Sequence, residues 1–129
     1  MILEINGKNY ELKFGFDFLE YLNKNNSLTM EMNGQVMNSG MGGATLLAST
    51  LQTKMPSTLF KTIKAATSHL PQKPSDADIE RYINTLAEDD EEYNLVFEEI
   101  EEGLKKQPAT RREMGLSKPK ATNKQTENK

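Results

Sequence analysis

The sequence predicts an α+β domain that is predominantly α-helical, with an N-terminal β-hairpin, about five amphipathic helices and a disordered C-terminal tail. Three observations support this prediction. Two short alternating runs of apolar and polar residues flank Asn6-Gly7, apolar residues recur at helical spacing between residues 18 and 104, and residues 108–129 contain almost nothing to bury. We therefore expect a helix-rich globular domain over residues 1–107 and a basic, disordered tail over residues 108–129.

The hairpin is predicted by the dipeptide Asn6-Gly7, because a type I′ turn needs two residues that tolerate positive φ. A turn centred there pairs Leu3 with Tyr10, whereas a turn one residue later pairs Leu3 with Leu12. In both registers one face of the hairpin carries the six apolar residues Met1, Leu3, Ile5, Tyr10, Leu12 and Phe14. An isolated hairpin is only marginally stable in water, so this face must pack on something.

The helices are predicted from their starts and from the apolar stripes that follow. Asp17 with Glu20 indicates a capping box for the first helix, Ser75 with Asp78 indicates one for a later helix, and Asp89 is suited to cap the last. The main apolar stripes consist of Phe18, Tyr21 and Leu22; Leu46, Leu47 and Leu51; Leu59, Phe60, Ile63, Ala66 and Leu70; Ile79, Tyr82, Ile83 and Leu86; and Tyr93, Val96, Phe97, Ile100 and Leu104. Pro108 is expected to end the last helix.

Residues 27–43 leave two interpretations open. The segment MEMNGQ repeats the pattern of LEINGK at the N-terminus, which favours a second small hairpin around Asn33-Gly34, and the alternative is a flexible loop. Four of the seven methionines lie in this stretch. Because methionine is unbranched and polarizable, a Met-rich surface suits partners of varied shape, although these side chains would equally suit packing onto the first hairpin.

Composition and charge exclude several classes of protein. The chain has no cysteine, which excludes disulfides, a zinc knuckle and a thiol nucleophile. No apolar run approaches the roughly 18 residues needed to span a bilayer, and we expect a cytoplasmic protein. Residues 1–104 hold 8 basic and 17 acidic residues, a net charge of −9, whereas residues 105–129 have a net charge of +6. An acidic body does not favour nucleic acid, and the basic tail has no aromatic residue for stacking on bases.

No catalytic constellation emerges from the sequence, and we predict no catalytic, cofactor-binding or metal-binding residue. The only histidine, His69, lies near the end of a predicted helix, which favours a capping or surface role over catalysis. Residues 40–43 form a glycine-rich stretch before a helix but lack the Gly-Lys-Ser/Thr ending of a phosphate-binding loop. The acidic residues of the last helix favour a solvated face, with docking of a basic partner as the alternative. The predicted partner-binding residues are Met30, Met32, Met37, Met41, Met114 and Leu116.

The order of these segments resembles that of the tail assembly chaperones of long-tailed phages and prophages of Gram-positive bacteria. The resemblance covers roughly residues 1–112, apart from the Met- and Gly-rich stretch. It rests on three segments, INGKNYELKFGFDFLEYLNK, LPQKPSDADIERYI and LVFEEIEEGLKKQPATRR. They are patterns of residue type and order and contain no catalytic signature.

This resemblance implies a non-enzymatic protein that acts in the host bacterial cytoplasm and is absent from the mature virion. It implies binding to the phage tape measure protein and assistance to tail tube subunits that assemble around it. Such chaperones often self-associate, and many also exist in a longer form made by a translational frameshift, which the Lys- and Asn-rich end would suit. The resemblance implies no cofactor and no catalytic residue.

Two other classes of function compete with this one. The alternative is a small cytoplasmic regulatory or antitoxin-like binding module whose basic tail meets a toxin or nucleic acid. Nucleic-acid binding would weaken steeply with rising salt, which distinguishes it from the chaperone. The third class is an enzyme with an acidic site, for which a metal ion should raise the melting temperature.

Overall fold

The structure, a computed structural model, describes residues 1–25, 29–32, 35–38 and 42–119. It confirms the predicted class: an N-terminal hairpin precedes a series of helices. The elements are β1 (Ile2–Ile5), β2 (Lys8–Glu11), α1 (Phe16–Asn25), β3 (Thr29–Met32), β4 (Gln35–Asn38), α2 (Gly43–Thr50), a 3₁₀ turn (Leu51–Thr53), α3 (Pro56–Ala66), α4 (Asp76–Leu86), α5 (Asp90–Lys105) and α6 (Pro108–Met114).

The first hairpin adopts the first of the two predicted registers. Leu3 lies opposite Tyr10, and β1 and β2 are antiparallel. Asn6 and Gly7 have φ angles of 53° and 77°, as a type I′ turn requires. Five of the six apolar residues of the predicted face are buried, and Met1 is partly buried against the core. The helices therefore cover the hairpin on the face that the alternating pattern predicted.

The second hairpin is present as an antiparallel pair of short strands, β3 and β4. Of the two interpretations left open by the sequence, the structure supports pairing, with Met30 opposite Met37. The predicted turn at Asn33-Gly34 and the methionine at position 41 lie outside the described residues.

Helix starts agree with the predictions at two sites and differ at a third. Ser75 Oγ accepts a hydrogen bond of 3.1 Å from the backbone N–H of Asp78, and Asp89 Oδ1 accepts one of 3.2 Å from Glu92. Asp17 was predicted to cap α1, but α1 begins at Phe16, which places Asp17 inside the first turn. The predicted cap is therefore wrong, although a carboxylate in the first turn still stabilises the helix through its dipole.

The core lies where the hairpin face meets the helical stripes. Its largest fully buried apolar side chains come from β1, α1, α3, α4 and α5. They are Ile5, Phe18, Leu22, Leu59, Ile63, Ile79, Ile100 and Leu104. The apolar periodicity of the sequence thus places the core correctly.

The chain after α5 differs from the prediction. A disordered tail was expected to begin at Pro108, yet Pro108 starts α6 and Gly115 ends it with a φ of 69°. Thr110 is fully buried and donates a hydrogen bond to the carbonyl oxygen of Phe14, and Met114 is 4 % exposed. Residues 108–114 are therefore part of the folded body. The disorder expected further on stays a prediction, because residues 120–129 lie outside the described part of the chain.

Candidate functional site: an open apolar groove beside α5

A groove of about 850 Å³ runs between α5 and the segment that connects β2 to α1. One wall consists of residues 12–17 and the start of β1, and the other consists of one face of α5. We call it the α5 groove. It is open to solvent along its length, which suits an elongated partner better than an enclosed small molecule.

Exposed apolar side chains concentrate at this groove. In the described part of the chain, the large hydrophobic residues that are exposed are Ile2, Phe16, Leu95 and Met55, at 64 %, 77 %, 47 % and 49 %. The first three line the α5 groove, whereas Met55 lies between α2 and α3. Single exposed apolar residues are ordinary, but three converging on one groove indicate a contact surface.

The wall contributed by α5 is a second helical stripe, separate from the buried one. Its members are Leu95, Glu98, Glu99, Glu102, Gly103 and Lys106. Their spacing of three and four residues places them on one face, and at 1.5 Å per residue the stripe is about 16 Å long. Three of the six are glutamates, and Asp17 lies on the opposite wall. With Lys13 and Lys106, the groove therefore has four carboxylates and two lysines, so it combines apolar residues with a net negative charge. Within the described residues, none of these three glutamates forms an ion pair.

Gly103 determines how the two walls meet. A Cβ atom at this position would lie 2.7 Å from Cε2 of Phe14, closer than real Cβ contacts allow. Glycine therefore lets the Phe14 ring pack directly on the backbone of α5. The ring also packs edge-on against Phe18, with centroids 5.4 Å apart. These contacts fix the connecting segment that leads into Phe16, the first residue of α1.

Hydrogen bonds hold the same segment from two other helices. The backbone N–H of Lys13 donates to the carbonyl oxygen of Ala66 at the end of α3, over 3.0 Å. Thr110 of α6 donates to the carbonyl oxygen of Phe14. Because α3, α5 and α6 all contact this segment, the groove is built into the folded body and needs no partner to form it.

The predicted partner-binding residues lie in three different settings. Met30, Met32 and Met37 belong to the strands of the second hairpin, and position 41 lies outside the described residues. Met114 is buried in the core, and Leu116 is half-buried against it. Met114 is therefore covered by the folded body and Leu116 is only partly accessible, and the role of both residues in partner binding stays a prediction.

Sequence reasoning missed the α5 groove, although a signal was present. Ile2, Phe16 and Leu95 are apolar residues that are out of phase with the buried face of their own elements. Ile2 alternates with Leu3, and Leu95 precedes the buried pair of Val96 and Phe97. Apolar residues on the solvent side of amphipathic elements could have been collected as a candidate surface.

His69 and the acidic residues of α5 are the residues that the sequence raised for chemistry. His69 follows α3, and its Nε2 is buried without a hydrogen-bond partner in the described residues. Glu101 forms an ion pair with Lys105, at 3.5 Å, as helix spacing predicts. Among the described residues, no group of three or more acidic or histidine side chains is arranged to hold a metal ion. No described helix is long and apolar enough to cross a membrane.

Comparison with known protein families shows which family the chain belongs to. Residues 2–116 match a family described as phage tail assembly chaperone protein, TAC. The chain belongs to this family of phage tail assembly chaperones. The match includes α6 and ends just after Gly115, in agreement with the folded body. Comparisons with curated proteins and with solved structures gave no match. Membership implies that the protein interacts with components of a phage tail.

Proposed function

We propose that this tail assembly chaperone binds the phage tape measure protein and keeps it soluble while tail tube subunits assemble around it. The protein would do this without catalysis, in the bacterial host, and would leave before the virion is complete. The family match supports the general role. The observation that carries the proposal is the α5 groove, a preformed apolar surface open to an elongated partner.

The apolar surface and the net charge of this chain meet the physical requirements of such a role. A long helical tape measure protein exposes apolar stripes that would otherwise associate with one another. A holding protein must cover apolar surface and add charge that opposes clumping. The three exposed apolar residues of the groove provide the surface, and the net charge of −9 over residues 1–104 provides the repulsion.

The second hairpin is proposed as an additional contact. Met30, Met32 and Met37 lie on its strands, and position 41 follows it. Flexible thioether side chains can adapt to partner surfaces of varied shape. Replacing these four methionines with serine should weaken binding to the tape measure protein and leave the melting temperature unchanged. Unchanged affinity would remove the hairpin from the proposal.

The experiment that tests the proposal is co-expression of the chaperone with the tape measure protein of the same phage. We expect the tape measure protein to be soluble with the chaperone and to sediment without it, and the two to co-purify. The tail tube protein should join the complex when it is also expressed. A tape measure protein that sediments regardless, and never co-purifies, would refute the proposed function.

A further inference from the structure

We propose that the α5 groove binds one amphipathic helix of the tape measure protein, with its apolar stripe on Ile2, Phe16 and Leu95 and its basic residues facing the glutamates of α5. This inference rests on the proposed function and adds a site and a recognition chemistry to it. Helix-in-groove binding is a common way for an exposed apolar cleft to recognise an elongated partner.

The dimensions of the groove fit a helix of about three turns. The stripe that lines the groove runs from Leu95 on α5 to Lys106, the C-cap residue of that helix, a distance of about 16 Å. A partner helix of about 11 residues covers this length, and anchors at positions i, i+3 or i+4, and i+7 would contact the groove in succession. Phe16 is the largest of the exposed apolar side chains and is 77 % exposed, so it is the natural central anchor.

The charges of the groove specify the flanks of that helix. Glu98 and Glu99 are exposed, Glu102 is half-buried, and within the described residues they form no ion pair. The lining also holds Asp17, Lys13 and Lys106, so four carboxylates face two lysines and the groove presents a net negative charge to a partner. Lysine or arginine beside the apolar stripe of the bound helix would complement them, and acidic residues there would be repelled.

Two other occupants fit the groove less well. A second copy of this chain, if paired through the same surface, would bring together two linings that each have four carboxylates and two lysines, and the repulsion between their net negative charges opposes this pairing. Residues 117–129 of this chain are basic but contain no large apolar residue. They could pair with the glutamates and would leave the apolar wall uncovered. A basic amphipathic helix would cover the apolar wall of the groove and also pair with its glutamates.

The first arm of the test removes the apolar anchors. The chaperone and the tape measure protein of the same phage are purified, and their dissociation constant is measured by titration calorimetry. Phe16→Ser combined with Leu95→Ser should weaken binding roughly 30-fold, since buried aromatic anchors dominate such interfaces. The matched control is Met55→Ser, which removes an apolar side chain of similar exposure (49 %) away from the groove and should change affinity less than twofold.

The second arm reverses charge. Glu98→Lys with Glu99→Lys should weaken binding about tenfold and reduce its dependence on salt. The control pair, Glu80→Lys with Glu88→Lys, changes the net charge by the same amount at exposed positions outside the groove. We expect the control to retain nearly the affinity of the unaltered protein.

The outcomes separate the inference from the proposed function. If the unaltered chaperone does not bind the tape measure protein, the proposed function fails. If it binds but both groove variants match their controls, the α5 groove is not the site and the function stands. If the groove variants change the oligomeric state of the free chaperone and not its affinity, the groove is an interface between copies and the inference is overturned.

A covalent test reports contact with the partner directly and does not require a loss of binding. A photo-crosslinking amino acid replaces Phe16 in one preparation and Met55 in another. Irradiation of the complex should link position 16 to a tape measure segment that has an apolar stripe flanked by lysine or arginine. Crosslinking that is equal at the two positions, or directed to an acidic segment, would contradict the inference.

Discussion

At the scale of single residues, the packing of Phe14 against Gly103 decides whether the groove keeps its shape. An added Cβ would overlap the Phe14 ring, which is 5 % exposed and braced by Phe18. Overpacking of this kind costs about 1–3 kcal/mol and exceeds the gain of about 1 kcal/mol from removing a helical glycine. We predict that Gly103→Ala lowers the stability by up to about 2 kcal/mol, measured by urea denaturation.

A second substitution tests that explanation. Phe14→Leu shortens the side chain that the new methyl group meets. If overlap causes the loss, the two substitutions together should be more stable than the sum of their separate effects implies. Additive effects, or a Gly103→Ala variant more stable than the unaltered protein, would show that the ring moves aside at little cost.

At the scale of elements, α6 is a structural part of the body despite its polar sequence. It buries Thr110 and Met114, and Asn23 of α1 donates a hydrogen bond of 2.7 Å to Glu113. We predict that a chain ending at residue 107 loses about 3–5 kcal/mol, since it gives up a buried side chain and leaves the carbonyl of Phe14 without its partner. Circular dichroism during urea denaturation measures this loss.

The matched control is a chain ending at residue 119. It keeps every described contact of α6, so its stability should equal that of the full chain. Thr110→Val isolates the hydrogen bond to Phe14 and should cost about 1–3 kcal/mol. Equal stability of the chains ending at 107 and 119 would mean that α6 contributes nothing to the fold.

The comparison of α4 and α6 shows why the sequence predicted one and missed the other. Ser75 caps α4 through a backbone group three residues away, and four apolar residues follow at helical spacing, so the signal is local. The segment Pro108–Met114 has one large apolar residue, and its buried hydrogen bond reaches a carbonyl 96 residues away in sequence. Tertiary contacts between residues this far apart in sequence stabilise a helix although the helix itself has no local apolar pattern that predicts it.

The same distinction explains what could be predicted of the candidate site. The acidic edge on α5 was visible as a charged helix face, and docking of a basic partner was one of its two interpretations. The apolar part required knowledge of which elements become neighbours. Ile2, Phe16 and Leu95 come from three elements, and they reach one groove through tertiary contacts such as the packing of Phe14 against Gly103.

At the scale of the whole molecule, three side chains on successive helices have pKa values above their ordinary values. They are Lys64, Tyr82 and Tyr93. A hydrogen bond from Lys64 on α3 to Asp76, with the atoms 2.9 Å apart, raises the lysine pKa above its ordinary 10.5, and burial opposes this only in part. Burial raises the pKa of Tyr82 on α4 above 10.0, and the charge of Glu99 adds to it. Burial also raises the pKa of Tyr93 on α5.

All three shifts act on stability in the same direction. Above pH about 10 the unfolded chain releases these protons first, so the folded state binds more protons than the unfolded state. Their contribution is complete below that pH and is lost as the pH rises through the raised pKa values. We therefore predict that the melting temperature declines between pH 10 and 12.

Tyr82→Phe should make that decline shallower, because it removes one of the groups whose ionisation opposes folding. Within the described residues the Tyr82 hydroxyl forms no hydrogen bond, so phenylalanine preserves the packing and the melting temperature at pH 8 should stay the same. Melting curves followed by circular dichroism at pH 8, 10, 11 and 12 measure both effects, and phenolate absorbance reports the ionisation directly. If the variant declines as steeply as the unaltered protein, Tyr82 does not contribute to the pH dependence, which then rests on the ion pair of Lys64 with Asp76 and on the partly buried Tyr93.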